Sequence, residues 1–487
     1  MNRNNFLGHL ALALAVIMLA AFAGQIRHWQ LERSLAPPPP PSSEAGQTEE
    51  AVDEAEGGEQ VEETEDSDDA KVLVLFKPGT SYEAIKSIAE THNDEVKDEI
   101  ESVKGLTLIE DEDGLDAEAV AEEYRHLPSV QYAEPNYQIK LDPEIGNVNH
   151  YDSAAQLAGR VLDKKPNDQM FAEQWSLSNE GQGGGKAGAD ISALRAWEKT
   201  TGSQSVVVAV LDSGVDYTHA DLINNIWVRP PDLAAYTDDE LGGFDDIHGF
   251  SAVGDDDPMD QNGHGTHCAG IIGAEGDNAE GIAGINWKVE IMPLKFMSAN
   301  GSGTTADAIK AINYVINRKR AGVNVRIISA SWGSTMRSQA LEDAIRNAGD
   351  EGILFVAASG NSSANSDKSP HYPAGYDLPN VISVAALNRN DELASFSNYG
   401  AKSVHVAAPG AEILSTWLKG SYEEHSGTSM ATPLVAGEAA LILSVDPNLS
   451  VKELRERIFK SVDKLDSLNG KVATGGRINA AKAVKAE

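Results

Sequence analysis

Three glycine-rich segments of the sequence each carry one side chain that could take part in covalent catalysis. Asp212 ends a run of apolar residues, His264 stands between two glycines, and Ser429 follows Gly427-Thr428 at the start of an apolar stretch. A serine hydroxyl is a poor nucleophile unless an imidazole accepts its proton, and the imidazole needs a carboxylate to fix its tautomer. The three residue types together indicate nucleophilic catalysis.

Each of these residues also has an ordinary structural interpretation, so the prediction depends on their combination. A serine at a helix start is by itself typical of an N-cap. His264 and His267 are three residues apart, but neither belongs to a Glu-x-x-His pattern, and the chain has one cysteine. A zinc site is therefore not predicted, and His267 is expected to be structural. The chain order Asp…His…Ser differs from the Ser…Asp…His order of α/β-hydrolases.

The elements that must position these residues are predicted from residues 171–487. Short apolar runs rich in Val and Ile alternate there with helical patterns, which indicates a parallel sheet with helices on both faces, an α/β fold. The predicted strands are Val206–Leu211, Ile291–Phe296, Val325–Ala330, Ile353–Ala358 and Val381–Ala385, and the predicted helices are Thr304–Arg320 and Ser338–Asp350. Loops after such strand ends are where open α/β sheets place their sites.

Residues 71–140 form a second predicted unit. Strand and helix patterns follow one another there in the order β-α-β-β-α-β, which predicts a small ferredoxin-like α+β sandwich. No residue in this unit indicates catalysis by itself.

The N-terminus is interpreted as a targeting segment. Residues 6–23 are apolar apart from His9 and end in Ala21-Phe22-Ala23. An apolar run with this ending predicts a secretory signal peptide over residues 1–23. A retained signal anchor facing outward is the alternative, since the run is near the lower length limit for a membrane span. Either way, the rest of the chain is expected to be secreted or to face the outside.

Composition separates a linker from the folded units and excludes one class of partner. Residues 24–70 contain the proline run 37–41, and residues 42–70 hold thirteen Asp/Glu and no Lys/Arg. This segment is expected to be a disordered linker. The formal net charge of −36 argues against nucleic acid as a partner. The single cysteine, Cys268, excludes an internal disulfide.

The sequence is similar to the subtilisin-like serine proteases, the subtilases, and to their thermitase-like and proteinase K-like branch. The matching segments are AVLDSGVD around Asp212, NGHGTHCAG around His264, AASGN ending at Asn361, and GTSMATP around Ser429. The resemblance covers residues 171–487. Residues 71–140 resemble the inhibitor prodomain of the same family, and residues 141–170 are then a processing linker.

The resemblance implies a role for each matching residue. Ser429 would attack the scissile carbonyl, His264 would accept and return the proton, and Asp212 would orient His264. Asn361 and the Ser429 backbone N–H would form the oxyanion hole. Residues Ser331, Trp332 and Gly333 would form one edge of the substrate cleft, and Gly301, Ser302 and Gly303 would form the opposing edge.

The implied function is a secreted serine endopeptidase that processes itself and hydrolyses protein or peptide substrates. Family members suggest broad specificity with a large or apolar P1 residue, P1 being the residue whose carbonyl is attacked. The prodomain would act as an intramolecular inhibitor. A non-catalytic binding protein on the same scaffold and a membrane-anchored processing enzyme of narrow specificity are the alternatives.

Structural calcium is the cofactor that the resemblance implies, in a loop site built from oxygen ligands. The side chains of Asp168, Asp221 and Asn278 match ligands of this site, and the carbonyls of Glu280 and Ile282 would complete it. Asp255, Asp257 and Asp260 form a second acidic cluster, which is interpreted equally well as a solvated loop.

Overall fold

The computed structural model of the protein describes residues 70–146, 148–151, 165–238, 242–254 and 256–485. The predicted signal peptide and nearly all of the predicted linker over residues 24–70 lie outside the described residues. So do Asp255 and residues 152–164 of the predicted processing segment.

Residues 70–135, here called the N-terminal domain, form a four-stranded antiparallel sheet with two helices. Its elements are β1 (Lys71–Phe76), α1 (Tyr82–His92), β2 (Asp94–Ile100), β3 (Leu106–Asp111), α2 (Ala117–Arg125) and β4 (Val130–Pro135). The strand order is β2-β3-β1-β4. The side chains of Ser81 and Asp116 cap the two helices by accepting backbone N–H bonds. The predicted ferredoxin-like sandwich is confirmed.

Two short strands follow β4 and precede the second folded unit. β5 (Gln138–Lys140) and β6 (Asn149–Tyr151) do not join the sheet of the N-terminal domain. They pair instead with strands of residues 165–485, here called the C-terminal domain. The segment between the two domains is therefore held against the surface of the C-terminal domain.

The C-terminal domain is built around a large sheet flanked by helices. Its strands are β7 (Gly202–Asp212), β8 (Thr237–Asp238), β9 (Gly242–Gly243), β10 (Phe250–Ser251), β11 (Lys288–Lys295), β12 (Ser302–Thr304), β13 (Val325–Ala330), β14 (Leu354–Ala358), β15 (Val381–Leu387), β16 (Val406–Pro409), β17 (Ile413–Thr416), β18 (Tyr422–His425), β19 (Asp463–Lys464) and β20 (Gly476–Arg477). Its helices are α3 (Ala193–Trp197), α4 (His264–Gly273), α5 (Thr305–Arg320), α6 (Gln339–Asp350), α7 (Thr428–Val445), α8 (Val451–Ser461) and α9 (Ala480–Ala483).

The order of strands in the large sheet determines where a site can form. The nine strands run β10-β11-β7-β13-β14-β15-β16-β20-β19, and all neighbours are parallel except β19 and β20. From β7 the chain proceeds to β11 on one side and later to β13 on the other. Such a reversal opens a crevice beyond the carboxyl ends of the strands. β7 ends at this crevice, and its last residue is Asp212.

Helix α7 packs against the sheet and is almost entirely buried. The residues from Thr428 to Leu443 are all buried, including Pro433 in the second turn. Among the described residues, α7 alone is long and apolar enough to cross a membrane, but 89% of the relevant window is buried inside the protein. It is therefore a core helix, and its first turn is fixed against the sheet.

The N-terminal domain packs on helices α5 and α6 of the C-terminal domain. One cluster of buried apolar side chains contains Leu73 and Ile100 from the first domain and Ile309 and Ala344 from the second. Burial of apolar area of this kind is the main favourable term in association. The contact positions the segment after β4 at the crevice.

Candidate active site

Asp212 and His264 form a hydrogen-bonded pair at the carboxyl end of β7. His264 Nδ1 lies 2.7 Å from Asp212 Oδ1, and the same oxygen accepts the N–H of Ser213 at 2.8 Å. Asp212 is completely buried, because β7 is covered on both faces. A buried carboxylate on Nδ1 directs Nε2, the other ring nitrogen, away from it and makes Nε2 the basic atom.

Ser429 lies in the first turn of α7, beside the carboxyl end of β13. Its Oγ donates to the carbonyl of Ser331 at 2.9 Å, and Ser331 Oγ donates to the carbonyl of Ser429 at 2.8 Å. No hydrogen bond joins Ser429 Oγ to His264 Nε2 in the part of the chain that the structure describes. Hydroxyls of this kind often align with their base only in the substrate complex.

Asn361 is positioned by the residue that precedes Ser429. The amide Oδ1 of Asn361 accepts both the backbone N–H and the Oγ hydroxyl of Thr428, each at 2.9 Å. Thr428 Oγ in turn accepts the N–H of Gly360. With its oxygen engaged, Asn361 presents Nδ2 toward Gly427 and the start of α7. An N–H donor and the free N–H groups of a helix start therefore face the same space.

Asp260 fixes the loop that carries His264. Its two oxygens accept the Oγ hydroxyls of Ser213 and Thr266 and the backbone N–H groups of Asn262, Gly263 and Thr266. The side chain is buried, so these five bonds replace its hydration. Because all these donors belong to the loops on either side of the His264–Asp212 pair, Asp260 acts as a brace and is not available to the second acidic cluster considered above.

The charges around His264 raise its pKa above the ordinary value. Burial by itself would lower the pKa, but the carboxylate of Asp212 outweighs it, with smaller contributions from Asp260 and Asp142. Burial raises the pKa of the neighbouring Cys268 thiol well above its usual range. Asp212, His264 and Cys268 lie close enough to share a metal ion, but a protonated thiol is a poor metal ligand.

His267 points away from this site. Its Nε2 faces the carbonyl of Glu423 at 3.0 Å, and its ring packs edge-on against His425. Burial lowers its pKa well below the usual value. His267 therefore contacts the segment around Glu423 and His425, whereas His264 binds Asp212.

The segment after β4 runs through the crevice as an extended strand. β5 pairs antiparallel with β12, with Lys140 opposite Ser302 and Ile139 opposite Gly303. The N–H of Leu141 donates to the carbonyl of Gly301 at 2.9 Å. On its other side Lys140 forms an antiparallel bridge with Gly333. The two edges predicted for the cleft, residues 301–303 and 331–333, therefore enclose a strand of the protein itself.

Trp332 differs from its neighbours on this edge. Its Nε1 donates to the carbonyl of Leu211 at 2.8 Å, and the ring is buried against Phe296. The side chain therefore packs against the carboxyl end of β7 and against Phe296, which follows β11. Its predicted place on the cleft edge therefore concerns the backbone, whereas the indole belongs to the core.

Two side chains at the end of the N-terminal domain and just after it bind the starts of α5 and α6. Glu134 accepts the N–H groups of Gln339 and Ala340 and the hydroxyl of Ser338. Asn136 Oδ1 accepts the N–H of Ala306 at 2.9 Å. Helix N-termini carry unpaired N–H groups and a partial positive charge, so a carboxylate is well placed there.

The residues predicted to hold calcium lie together in a buried loop cluster. Asp221 Oδ1 accepts the amide Nδ2 of Asn278, its Oδ2 accepts the N–H of Ile282, and Asn278 Oδ1 accepts the N–H of Glu280. Asp168 Oδ1 is buried without a hydrogen-bond partner among the described atoms. Burial, reinforced by the nearby Asp221 charge, raises the pKa of Asp168 to about 7.

Two buried carboxylates that repel each other fit a cation between them. Burial also raises the pKa of Asp221, to about 6. Asp277 and Ala279 adopt left-handed backbone conformations with φ of 63°, which curl the loop around this point. Carboxylate and amide oxygens are the ligands that Ca²⁺ prefers. The donor set is therefore compatible with calcium.

Several residues that shape the site were not identified as functional from the sequence. Thr428 orients Asn361, and Asp260 braces the His264 loop, but neither of these roles was predicted from the sequence. His371 lies against Gly333 and Gly360, although it is distant in sequence from both. A signal existed only for Asp260, whose acidic cluster just before His264 was noted as a possible metal site.

The C-terminal domain matches a known family over most of its length. The profile described as "Subtilase family" matches residues 203–475. The profile described as "Fervidolysin N-terminal prodomain" matches residues 60–136.

Individual relatives support both matches. A thermophilic serine proteinase of Bacillus sp. (strain AK1) is 34% identical over 423 residues, which are 85% of this chain and 87% of that protein. Thermitase of Thermoactinomyces vulgaris is 37% identical over 295 residues, 61% of this chain and 94% of thermitase. A solved protease structure from Pseudoalteromonas arctica PAMC 21717 has a TM-score of 0.55 and 28% identity and covers 66% of this chain and 98% of that one.

Proposed function

Because this chain belongs to the subtilase family of serine peptidases, we propose that it is a secreted endopeptidase that processes itself with Asp212, His264 and Ser429 as its catalytic triad. The hydrogen bond of 2.7 Å between His264 Nδ1 and Asp212 Oδ1, at the strand end beside Ser429, is the observation that carries this assignment. The matched profile and relatives give the enzyme class, a serine peptidase with an N-terminal prodomain.

In the proposed mechanism Ser429 Oγ attacks the carbonyl carbon of the scissile bond while His264 Nε2 accepts the hydroxyl proton. The tetrahedral oxyanion receives hydrogen bonds from Asn361 Nδ2 and the Ser429 N–H, which are strongest for developing charge. His264 then returns the proton to the leaving nitrogen, and an acyl-enzyme forms. Water attacks the ester by the same route, with His264 again acting as base. Asp212 remains ionised and stabilises the imidazolium.

Substrates would bind as a strand between residues 301–303 and 331–333. Main-chain hydrogen bonds supply most of the recognition in such a mode and tolerate many side-chain sequences. The placement of residues 138–141 supports this, because the chain's own segment already pairs with both edges. Broad specificity for proteins and peptides is the corresponding proposal, and the large or apolar P1 residue suggested by the resemblance remains a prediction.

The placement of residues 138–141 in the cleft also supports self-inhibition by residues 71–140. It supports domain boundaries near those predicted as well. A strand that fills the cleft excludes other substrates until it is cut and released. Maturation would cut the chain within the processing segment 141–170, before the proposed calcium ligand Asp168, and so release the prodomain from the predicted catalytic domain, residues 171–487. Secretion or outward-facing anchoring rests on the apolar run over residues 6–23 and on extracellular relatives such as the minor extracellular protease Epr of Bacillus subtilis.

Calcium is proposed as a structural cofactor held by Asp168, Asp221 and Asn278 with the carbonyls of Glu280 and Ile282. It would neutralise the buried carboxylates and join residue 168 to the loop 277–282. With no disulfide possible, such a crosslink would stabilise the folded state by binding it selectively.

Expression of the full chain with and without Ser429→Ala, in calcium, tests the proposal. Intact mass and N-terminal sequence followed over time should show the wild type trimmed to a start between residues 138 and 175. Ser429→Ala should stay at full length after signal removal, whereas the control Ser205→Ala, which changes an exposed serine, should trim like the wild type. A Ser429→Ala protein that trims itself would refute the nucleophile, and labelling by a fluorophosphonate would check the wild type directly.

A further inference from the structure

The register of the enclosed strand identifies the residue that lies beside the nucleophile. Lys140 is opposite Gly333 in an antiparallel bridge. In an antiparallel pair, a step of two residues forward on one strand meets a step of two residues back on the other. Asp142 is therefore in register with Ser331, whose carbonyl accepts the Ser429 hydroxyl at 2.9 Å. Asp142 thus occupies the P1 position of the chain's own substrate-like segment.

A second imidazole lies at this position besides that of His264. The ring of His371 fills the space beside Gly333 and Gly360, and a Cβ atom added to Gly333 would collide with its Nε2. A Cβ atom added to Gly360 would lie 3.0 Å from His371 Cγ. Gly333 on the cleft edge and Gly360 just before Asn361 therefore leave room for an imidazole. This imidazole would lie in the wall of the S1 pocket, the part of the cleft that receives the P1 side chain.

The backbone holds His371 in this place. The next residue, Tyr372, exchanges two hydrogen bonds with Ser334, with N–O distances of 2.8 and 2.7 Å, and the N–H of Gly375 donates to the carbonyl of His371. The residue that presents the imidazole is thus tied to the strand edge that binds the substrate.

One carboxylate, that of Asp142, acts on both imidazoles of the cleft. Burial lowers the pKa of His371, and the carboxylate of Asp142 acts in the opposite direction. The same carboxylate raises the pKa of His264. Asp142 is itself exposed, and its carboxylate acts on His371 through its charge. A glutamate at the same position, longer by one methylene, would extend further toward the ring.

We propose that His371 is a specificity-determining residue that directs cleavage after acidic P1 residues, glutamate above all, by donating a hydrogen bond to the P1 carboxylate. The inference rests on the proposed endopeptidase function and replaces the large or apolar P1 residue that the resemblance suggested. A hydrogen bond between charged partners is stronger than a neutral one. Because the carboxylate favours the imidazolium form, the preference grows as the pH falls, until the substrate carboxylate itself becomes protonated.

Paired peptides that differ only at P1 test the proposal on the enzyme matured from the full chain. Each carries Ile-Lys-Leu before P1, as residues 139–141 do, and Glu, Gln, Leu or Phe at P1. Ala follows P1 in place of Pro143, whose ring nitrogen has no N–H. We expect kcat/KM for Glu to exceed that for its isostere Gln by about tenfold or more near pH 6, and the ratio to fall toward pH 8.

Two variants separate a role in specificity from a structural one. His371→Leu should reduce the Glu/Gln ratio to about one and remove its pH dependence, and His371→Lys should restore a preference for Glu. In the inactive full chain carrying Ser429→Ala, replacing Asp142 with Asn should lower the pKa of the His371 ring as measured by NMR. This measurement does not depend on turnover or on the folding of a His371 variant.

The possible outcomes distinguish the two proposals. An enzyme that cleaves the Leu or Phe peptide best, with a Glu/Gln ratio that His371→Leu leaves unchanged, overturns the specificity inference and leaves the endopeptidase proposal standing. An enzyme that cleaves none of the four peptides and does not react with a fluorophosphonate overturns the endopeptidase proposal instead. An unchanged His371 pKa after Asp142→Asn also contradicts the inference.

Discussion

At the residue scale, the proposed chemistry depends on a few buried polar groups that hold one another. Asp212 fixes His264, Asp260 fixes the loop that carries His264, and Thr428 fixes the amide of Asn361. Each of these supporting groups is buried, so its own hydrogen bonds are not exchanged with water. The proposed base, His264, and the proposed oxyanion donor, Asn361, are thereby oriented before a substrate arrives.

Replacing Asp212 with Asn tests the first of these contacts. The amide should allow the wrong imidazole tautomer, and kcat should fall by about 10⁴-fold. Because Asp212 raises the pKa of His264, and because the base must be neutral, activity of the wild type should be lost as the pH falls through this raised pKa. In Asp212→Asn the residual activity should persist to lower pH.

A pH profile of kcat/KM between about pH 5 and pH 10 measures both effects. Asp446→Asn, which removes a partly exposed carboxylate paired with Arg457, should leave the profile unchanged. An Asp212→Asn enzyme with the wild-type rate would show that another group orients His264.

At the element scale, helices α5 and α6 of the C-terminal domain make the contacts with the N-terminal domain. The N-termini of α5 and α6 receive the side chains of Asn136, just after β4, and of Glu134, within β4, respectively. Their outer surfaces carry the apolar contact with the same domain. The helix ends and the cleft edge beside them therefore position residues 138–142 as one unit.

Glu134→Gln tests the contribution of the capped helix. The variant keeps the size of the side chain but removes the charge at the N-terminus of α6, an interaction that is typically worth about 1–2 kcal/mol. The isolated prodomain should then inhibit the mature enzyme about five- to thirty-fold less tightly. Inhibition constants for added prodomain measure this. Glu118→Gln, at an exposed ion pair with Arg125, should not change them, and equal inhibition by all three prodomains would contradict the assignment.

At the scale of the whole molecule, the question is what stabilises the fold when no internal disulfide is possible. The chain has one cysteine, and Cys268 is buried. The loops around Asp168 and Asp221 concentrate negative charge in a buried place, which disfavours the folded state when no cation is bound. Calcium bound at the proposed site would neutralise this charge and link the two loops to each other.

Removal of calcium by a chelator should lower the Tm of the mature enzyme, and the loss should grow with pH. The raised pKa values of Asp168, about 7, and Asp221, about 6, mean that the calcium-free fold holds protons there which the unfolded chain releases near pH 4. The stability of the calcium-free form should therefore decline from about pH 4 to pH 7, while calcium competes less with protons as the pH rises.

Calcium at 100 times its Kd would add about 2.7 kcal/mol to the free energy of unfolding. Thermal unfolding with chelator, with calcium and with added magnesium measures the effect. Asp168→Asn should reduce the response to calcium, whereas Asp257→Asn, in the other acidic cluster, should retain it. The reverse pattern would place the ion at the second cluster.

The sequence by itself determined the elements and the order of the reactive segments, and only the tertiary structure decided how they meet. Apolar runs and helix caps are local signals, so five strands of the large sheet, the helix starts at Thr304 and Ser338, and the ferredoxin-like sandwich were predictable. The segments around Asp212, His264 and Ser429 were recognisable because each is short and contiguous. Their joint role remains the proposal tested above.

The contacts that the sequence could not predict all join distant segments. Lys140 pairs with Gly333, His371 lies against Gly333 through a loop pairing, and Glu134 meets the start of α6 only when two domains dock. The spacing of residues along the chain does not predict such pairings, because they are set by sheet order and by the packing of whole elements. The tertiary structure therefore identified His371 as the candidate residue for P1 selection, whereas the sequence had already indicated the chemistry.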